Sequence, residues 1–169
     1  NSSWRSPGAT GLAGWLSGAG GIGAGDSDDG TTIASATSVF IRKTFNVADV
    51  TTIHDLLFYM DYDDGFVAYI NGVEIARATL GSAGVLTPFN TLASGNHEAN
   101  GYQGIALDMY TINLLALPNL LVNGENVLAI QVHNVATNSS DLTSNAFLAA
   151  GVSTSTVQFA PALAWMNLT

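Results

Sequence analysis

Residues 66–77 constrain the fold more than any other part of the chain. They read Phe-Val-Ala-Tyr-Ile, then Asn71-Gly72, then Val-Glu-Ile-Ala-Arg. A two-residue hairpin turn of type I′ requires φ > 0 at both central positions, and Asn-Gly tolerates this better than almost any other pair. The flanking runs are β-branched and aromatic, so the segment specifies a β-hairpin. An isolated hairpin is marginal in water and needs further strands to pack on. Residues 38–45 read as a strand with Arg42 and Lys43 at its centre. In 53–62, Leu56, Phe58, Met60 and Tyr62 recur at period two and define one buried face. Residues 105–113 read as another strand, whereas 114–121 are ambiguous and fit a helical turn halted near Pro118. A second Asn-Gly, at 123–124, introduces 126–134, where Leu128, Ile130 and Val132 alternate with Ala129, Gln131 and His133. Residues 145–152 and 156–166 supply two closing strands. The first 37 residues, rich in Gly, Ser and Ala and anchored by Trp4 and Trp15, read as loops and short extended pieces, because so many glycines disfavour a helix. Short strands with turn signals and almost no helical periodicity predict an all-β antiparallel β-sandwich.

Composition excludes several functions. Four Lys plus Arg against 13 Asp plus Glu give a net charge of -9, which makes nucleic acid a poor partner because phosphate binding needs clustered cations. An anionic membrane surface is disfavoured on the same ground. No membrane insertion is expected either: the most apolar stretch, 105–122, is broken by Asp108, Asn113, Pro118 and Asn119. Cysteine is absent, so disulfides, thiolate metal sites and a cysteine nucleophile are excluded. The chain begins Asn-Ser-Ser-Trp, so any export signal is expected to have been removed or to lie upstream.

Four blocks carry a resemblance, in order: 21–31 (Gly-Ile-Gly-Ala-Gly-Asp-Ser-Asp-Asp-Gly-Thr), 39–45 (Val-Phe-Ile-Arg-Lys-Thr-Phe), 60–74 (Met-Asp-Tyr-Asp-Asp-Gly-Phe-Val-Ala-Tyr-Ile-Asn-Gly-Val-Glu) and 123–134 (Asn-Gly-Glu-Asn-Val-Leu-Ala-Ile-Gln-Val-His-Asn). Over residues 4–151 the chain resembles the galactose-binding-like jelly-roll module of large secreted and cell-surface bacterial proteins, which sits beside lamin-tail-like, spore-coat-kinase-like or glycan-degrading domains. It departs from that pattern at Ala24, where an aromatic is expected, and in the apolar tail after Gly151. At 169 residues the chain reads as one domain, 1–169, with 1–37 as a Gly-rich amino-terminal segment and 152–169 as an apolar closing strand; the resemblance implies that its fold is a jelly roll. It also implies an extracellular or cell-surface location.

Two constellations are candidates for function. Eight of the 13 acids fall between Asp26 and Asp64, and Asp-x-Asp-Asp-Gly occurs twice, at 26–30 and 61–65. Crowded carboxylates need a cation or hydrogen-bond donors. Calcium, a ligand of oxygen donors only, would be held by Asp26, Asp28 and Asp29, with Asp61, Asp63 and Asp64 as the alternative loop. The competing reading, which ranks ahead, is that these side chains cap turns by accepting from backbone N–H groups. The second constellation is the connector 96–103, where His97, Glu98, Asn100, Tyr102 and Gln103 offer planar amides, an imidazole, a carboxylate and a ring suited to sugar hydroxyls and an apolar sugar face. Against it stands a loop tied to the sandwich by the same groups. Trp4, Trp15, Tyr62, Tyr102, Tyr110 and Trp165 are candidate sugar platforms, although aromatics in a small sandwich are more often core. His54 and His133, in strands, read as structural. Catalysis finds little support: no Gly-x-Ser-x-Gly elbow occurs, and aspartates on exposed Gly-bearing loops lack the apolar setting that raises a general acid's pKa. The expected function is a non-catalytic carbohydrate-binding or adhesion module of a larger extracellular bacterial protein, with a glycan, neighbouring domains or copies of itself as partners. The alternative is a self-assembling structural subunit of an extracellular fibre or surface layer, because 10% charged residues is low for a monomer surface.

Overall fold

The Asn-Gly turn forms as expected, with φ of 51° at Asn71 and 86° at Gly72. It joins β5 (Gly65–Ile70) to β6 (Val73–Ala78). The computed structural model describes residues 3–25 and 29–153. Asp26, Asp28, Trp165 and the strand expected over 156–166 lie outside the described residues. The remaining strands are β1 (Ile22–Ala24), β2 (Thr31–Thr32), β3 (Ser38–Val47), β4 (Ile53–Asp63), β7 (Asp108–Ile112), β8 (Gly124–His133) and β9 (Leu142–Val152).

Four antiparallel pairs nest inside one another: β5 with β6, β4 with β7, β3 with β8, and β1 with β9. Further antiparallel pairing of β9 with β4 and of β8 with β5 joins these ribbons into two sheets. Sheet A runs β2-β1-β9-β4-β7 and sheet B runs β3-β8-β5-β6. A folded ribbon of eight antiparallel strands in two facing sheets is a jelly roll. The short β2 adds to the edge of sheet A, parallel to β1.

The core between the sheets is built from alternate residues. Leu56, Phe58, Met60 and Tyr62 of β4 meet Phe66, Ala68 and Ile70 of β5 and Leu128, Ile130 and Val132 of β8. The period-two reading of β4 is therefore correct. The alternation expected for 126–134 is present in direction but not in burial, since Ala129, Gln131 and His133 are buried too. The outer face of sheet B carries its own layer, in which Val67, Tyr69, Val127 and Ala129 pack with Leu80 and Trp4. The amino-terminal segment and the 79–95 connector thus cover a face that a bare sandwich would leave wet. Three further points concern local structure. The strand expected at 105–113 starts only at Asp108. Residues 113–117 form the single helical turn expected before Pro118, in which the Leu117 N–H bonds the Asn113 carbonyl and the Asn113 side chain accepts from the N–H groups of Leu115 and Ala116. The Gly-rich start holds a 3-10 turn at Ser3–Arg5 and the strands β1 and β2. Among the described residues no helix is long and apolar enough to cross a membrane.

Candidate functional site

Strand pairing brings the end of β1 and the acidic end of β4 to one end of sheet A. Strands β1 and β4 flank β9 and both run antiparallel to it, so they run parallel to each other. Ala24 lies opposite Leu142, and Asp63 opposite Thr143. The end of β1 and the acidic end of β4 therefore bracket the start of β9, where Asp141 sits. The approach is tight: a Cβ at Gly25 would lie 2.8 Å from the Asp141 Cα, and one at Gly23 would collide with the Leu142 carbonyl and the Asp29 carboxylate.

The second acidic sequence, at the end of β4, divides into two roles. Asp61 accepts from the N–H groups of Asn100 (3.0 Å) and Gly101 (2.8 Å). Asp64 accepts from the N–H of His97 (3.0 Å) and of Val135 (2.8 Å). These two act as the capping reading expects, except that the N–H groups they hold belong to distant loops rather than to their own turn. Asp63 differs: its Oδ1 is buried and has no hydrogen-bond partner. Burial, followed by the charges of Asp64, Asp141 and Glu98, pushes its pKa up to about 8. The premise that these acids sit on an exposed loop is therefore wrong. Asp61, Asp63 and Asp64 are only 6%, 2% and 3% exposed, and the 96–103 connector is bonded over Asp61 and Asp64. The calcium ligand sets expected from sequence are regrouped as well. Asp63 is brought together with Glu98 and Asp141, each offering an oxygen within 4.8 Å of the others.

The 96–103 connector is held down by its own polar groups. The His97 ring stacks on Tyr62 (centroids 3.9 Å apart, planes 7° apart), and its Nδ1 is 2.8 Å from the Tyr62 carbonyl. The Asn100 side chain donates to the Glu98 carbonyl, and Gln103 donates to the Asn100 side chain and the Tyr102 hydroxyl. His97, Glu98 and Asn100 do share a small pocket of about 140 Å³ with Asp61 and Asp108. Tyr102, 58% exposed, stands on the surface. Tyr62 and Tyr110 are not platforms: both direct their hydroxyls to Asp108, and burial raises both pKa values, that of Tyr110 to about 12. His133 is structural, its Nδ1 2.7 Å from the Thr91 carbonyl and its pKa lowered by burial. His54 lies 2.6 Å from the Ser153 hydroxyl at the surface.

A larger concavity lies on the outer face of sheet B. Trp4, Arg5, Phe40, Tyr69, Phe89 and Gln131 are among the residues lining a cleft of about 330 Å³. Trp4 meets Phe40 and Tyr69 edge-on, and Trp15 lies 6.1 Å from Trp4. Phe89 is 69% exposed. Gln131 donates to the Thr87 carbonyl at the same wall. Of these residues, sequence reasoning singled out Trp4 and Trp15 and missed the rest. Phe40 and Gln131 become neighbours only through the β3–β8 register. The available signal was the uninterrupted apolar run of β5, which marks a strand buried on both faces.

No protein-family model matches the chain, and no curated protein does. Among solved structures, an α-L-rhamnosidase from Aspergillus terreus is similar at 16% identity over 78% of this chain, with a TM-score of 0.44. An α-L-rhamnosidase from Streptomyces avermitilis, complexed with L-rhamnose, is similar at 18% identity over 72% of this chain, also with a TM-score of 0.44. The chain spans 14% and 9% of the lengths of those two proteins.

Proposed function

We propose that the chain is a non-catalytic glycan-binding module of the galactose-binding-like kind, acting beside other domains in an extracellular or cell-surface protein. The observation that carries this reading is the cleft on sheet B. Sugars present apolar C–H faces and a rim of hydroxyls, so they are taken up by aromatic surface with a few fixed polar groups beside it. Phe89, Phe40 and Trp4 offer the first, and Gln131 and Arg5 the second. The volume falls in the range of small-ligand pockets. The connector bearing Tyr102 is the rival contact surface, with less room and with most of its polar groups already paired.

Affinity electrophoresis against soluble polysaccharides, preceded by a glycan array, tests the reading. Losing one stacking aromatic forfeits about 0.5–1.5 kcal/mol, so Phe89→Ala is expected to weaken binding about tenfold at most while leaving the fold intact. Retained binding in Phe89→Ala with loss in Tyr102→Ala would move the site to the connector. The self-assembly reading draws on the same loop, where Val85, Leu86 and Phe89 expose apolar surface. Light scattering that finds regular polymers, together with an empty glycan array, would replace the glycan reading with that one.

A further inference from the structure

We propose that Asp63, Glu98 and Asp141 form a binding site for a divalent cation, calcium, at the end of sheet A. The three side chains come from the end of β4, the 96–103 connector and the residue before β9, and one oxygen from each lies within 4.8 Å of the others. Three oxygens spread evenly around a calcium ion, each about 2.3–2.6 Å from it, are about 4.0–4.5 Å apart. A small rotation of the side chains closes the spacing to what one ion needs.

Acidic clusters are common without a metal, and Asp63 is what distinguishes this one. It is 2% exposed and its Oδ1 has no partner, whereas Asp61 and Asp64 beside it are each satisfied by two backbone N–H groups. The charged groups that face it are Asp64, Asp141 and Glu98, all carboxylates. The chain's four Lys and Arg residues lie elsewhere: Arg5 in the amino-terminal 3-10 turn, Arg42 and Lys43 on β3, and Arg77 on β6. Burying a carboxylate among like charges is expensive unless something neutralises it. Here the neutralising charge comes from solvent, as a proton or a metal ion. An all-oxygen donor set selects a hard cation over zinc or copper. Calcium accepts an irregular set of six to eight oxygens completed by water, whereas magnesium demands a near-ideal octahedron. The site is separate from the aromatic cleft, and its test does not depend on glycan binding.

Isothermal titration of the full chain, stripped with EDTA and titrated with calcium chloride to about 10 mM, covers the affinity range of extracellular calcium modules. One saturable calcium per chain is expected, with a melting temperature that keeps rising with the logarithm of calcium concentration beyond saturation. Magnesium should give a smaller shift. Asp63→Asn and Glu98→Gln should each abolish saturable binding while remaining folded, because neither adds a charge to the cluster. Asp55→Asn, an exposed acid elsewhere on β4, should bind as the wild type does. Absence of saturable binding by the folded wild type overturns the proposal. Calcium binding retained by the Asp63→Asn/Glu98→Gln double variant overturns it equally.

Discussion

Asp64 joins three parts of the chain that are remote in sequence, and its replacement by Asn measures what that junction is worth. Its two carboxylate oxygens hold the N–H of His97, 33 residues away, and of Val135, 71 residues away. Asparagine keeps the shape and one acceptor but turns an NH₂ toward the other N–H. A hydrogen bond to a charged group contributes about 1.5–3 kcal/mol, and a buried donor without an acceptor costs about 1–3 kcal/mol. Removing the Asp64 charge also relieves its repulsion of Asp63, which offsets part of this loss. Near pH 6 that relief is small, because Asp63, with a pKa of about 8, already carries a proton. The net loss is about 3 kcal/mol, which at about 3 °C per kcal/mol for a domain of this size lowers the melting temperature by about 9 °C. Calorimetry at pH 6 in EDTA measures the fall, and hydrogen exchange at the His97 and Val135 amides shows whether both loops are released together. Asp55→Asn, at the surface, should stay within about 0.5 kcal/mol of the wild type. If Asp64→Asn melts within 2 °C of the wild type, or only one of the two amides is deprotected, the junction described here does not exist in solution.

The neighbouring acid should behave in the opposite way. In EDTA, the raised pKa of Asp63 gives stability that is fully present below about pH 4 and lost as pH rises through about 8, so Asp63→Asn should gain on the wild type by about 2–3 kcal/mol between pH 5 and pH 7, read from urea midpoints; a pH-independent difference would show that the site is not desolvated. Asn71 should be sensitive for two separable reasons. Its side chain bonds the Leu120 carbonyl, the Asn126 side chain and the Val127 N–H, and its φ of 51° disfavours other residues. Asn71→Ala should cost about 3 kcal/mol and Asn71→Gly about 1 kcal/mol less, because glycine restores the φ preference but not the bonds; equal losses would mean that the turn conformation contributes nothing.

The parts of the fold that could be read from the sequence are those written in local patterns. The hairpin follows from two residues that accept positive φ, and the inner face of β4 from four apolar side chains at period two. Short extended pieces were expected in the first 37 residues, but the positions of β1 and β2 were not legible because three and two residues carry no period, and their pairing is imposed by β9 and by each other. The acidic sequences were recognised as a group, but their fates were not. Whether an aspartate caps a loop or keeps a buried oxygen without a partner depends on which backbone crosses above it, and His97, Asn100 and Val135 are brought there by the connector and by the exit from β8. Asp141, a lone acid before a strand, had no motif to mark it. Its role comes entirely from the register that puts Thr143 beside Asp63.

The same non-local logic explains how so weakly charged a chain makes a fixed cleft. Two of its four basic residues hold the walls. Arg42, on the outer face of β3, donates to the carbonyls of Trp4 and Ser6 and so fastens the amino-terminal segment to sheet B. Arg77, on β6, is paired with Glu74 and donates to the Leu80 and Val85 carbonyls and the Thr87 hydroxyl, which fixes the loop leading to Phe89. Each arginine offers several donors in a rigid fork, so one side chain satisfies backbone carbonyls that a loop over a sheet otherwise leaves to solvent. The Glu74–Arg77 pair is half-shielded and bidentate, a geometry in which the Glu74 pKa falls and the pair stays ionised. The cleft is therefore held open by side chains outside its floor, and a ligand entering it need not order either wall, which is the condition under which a modest contact area still binds.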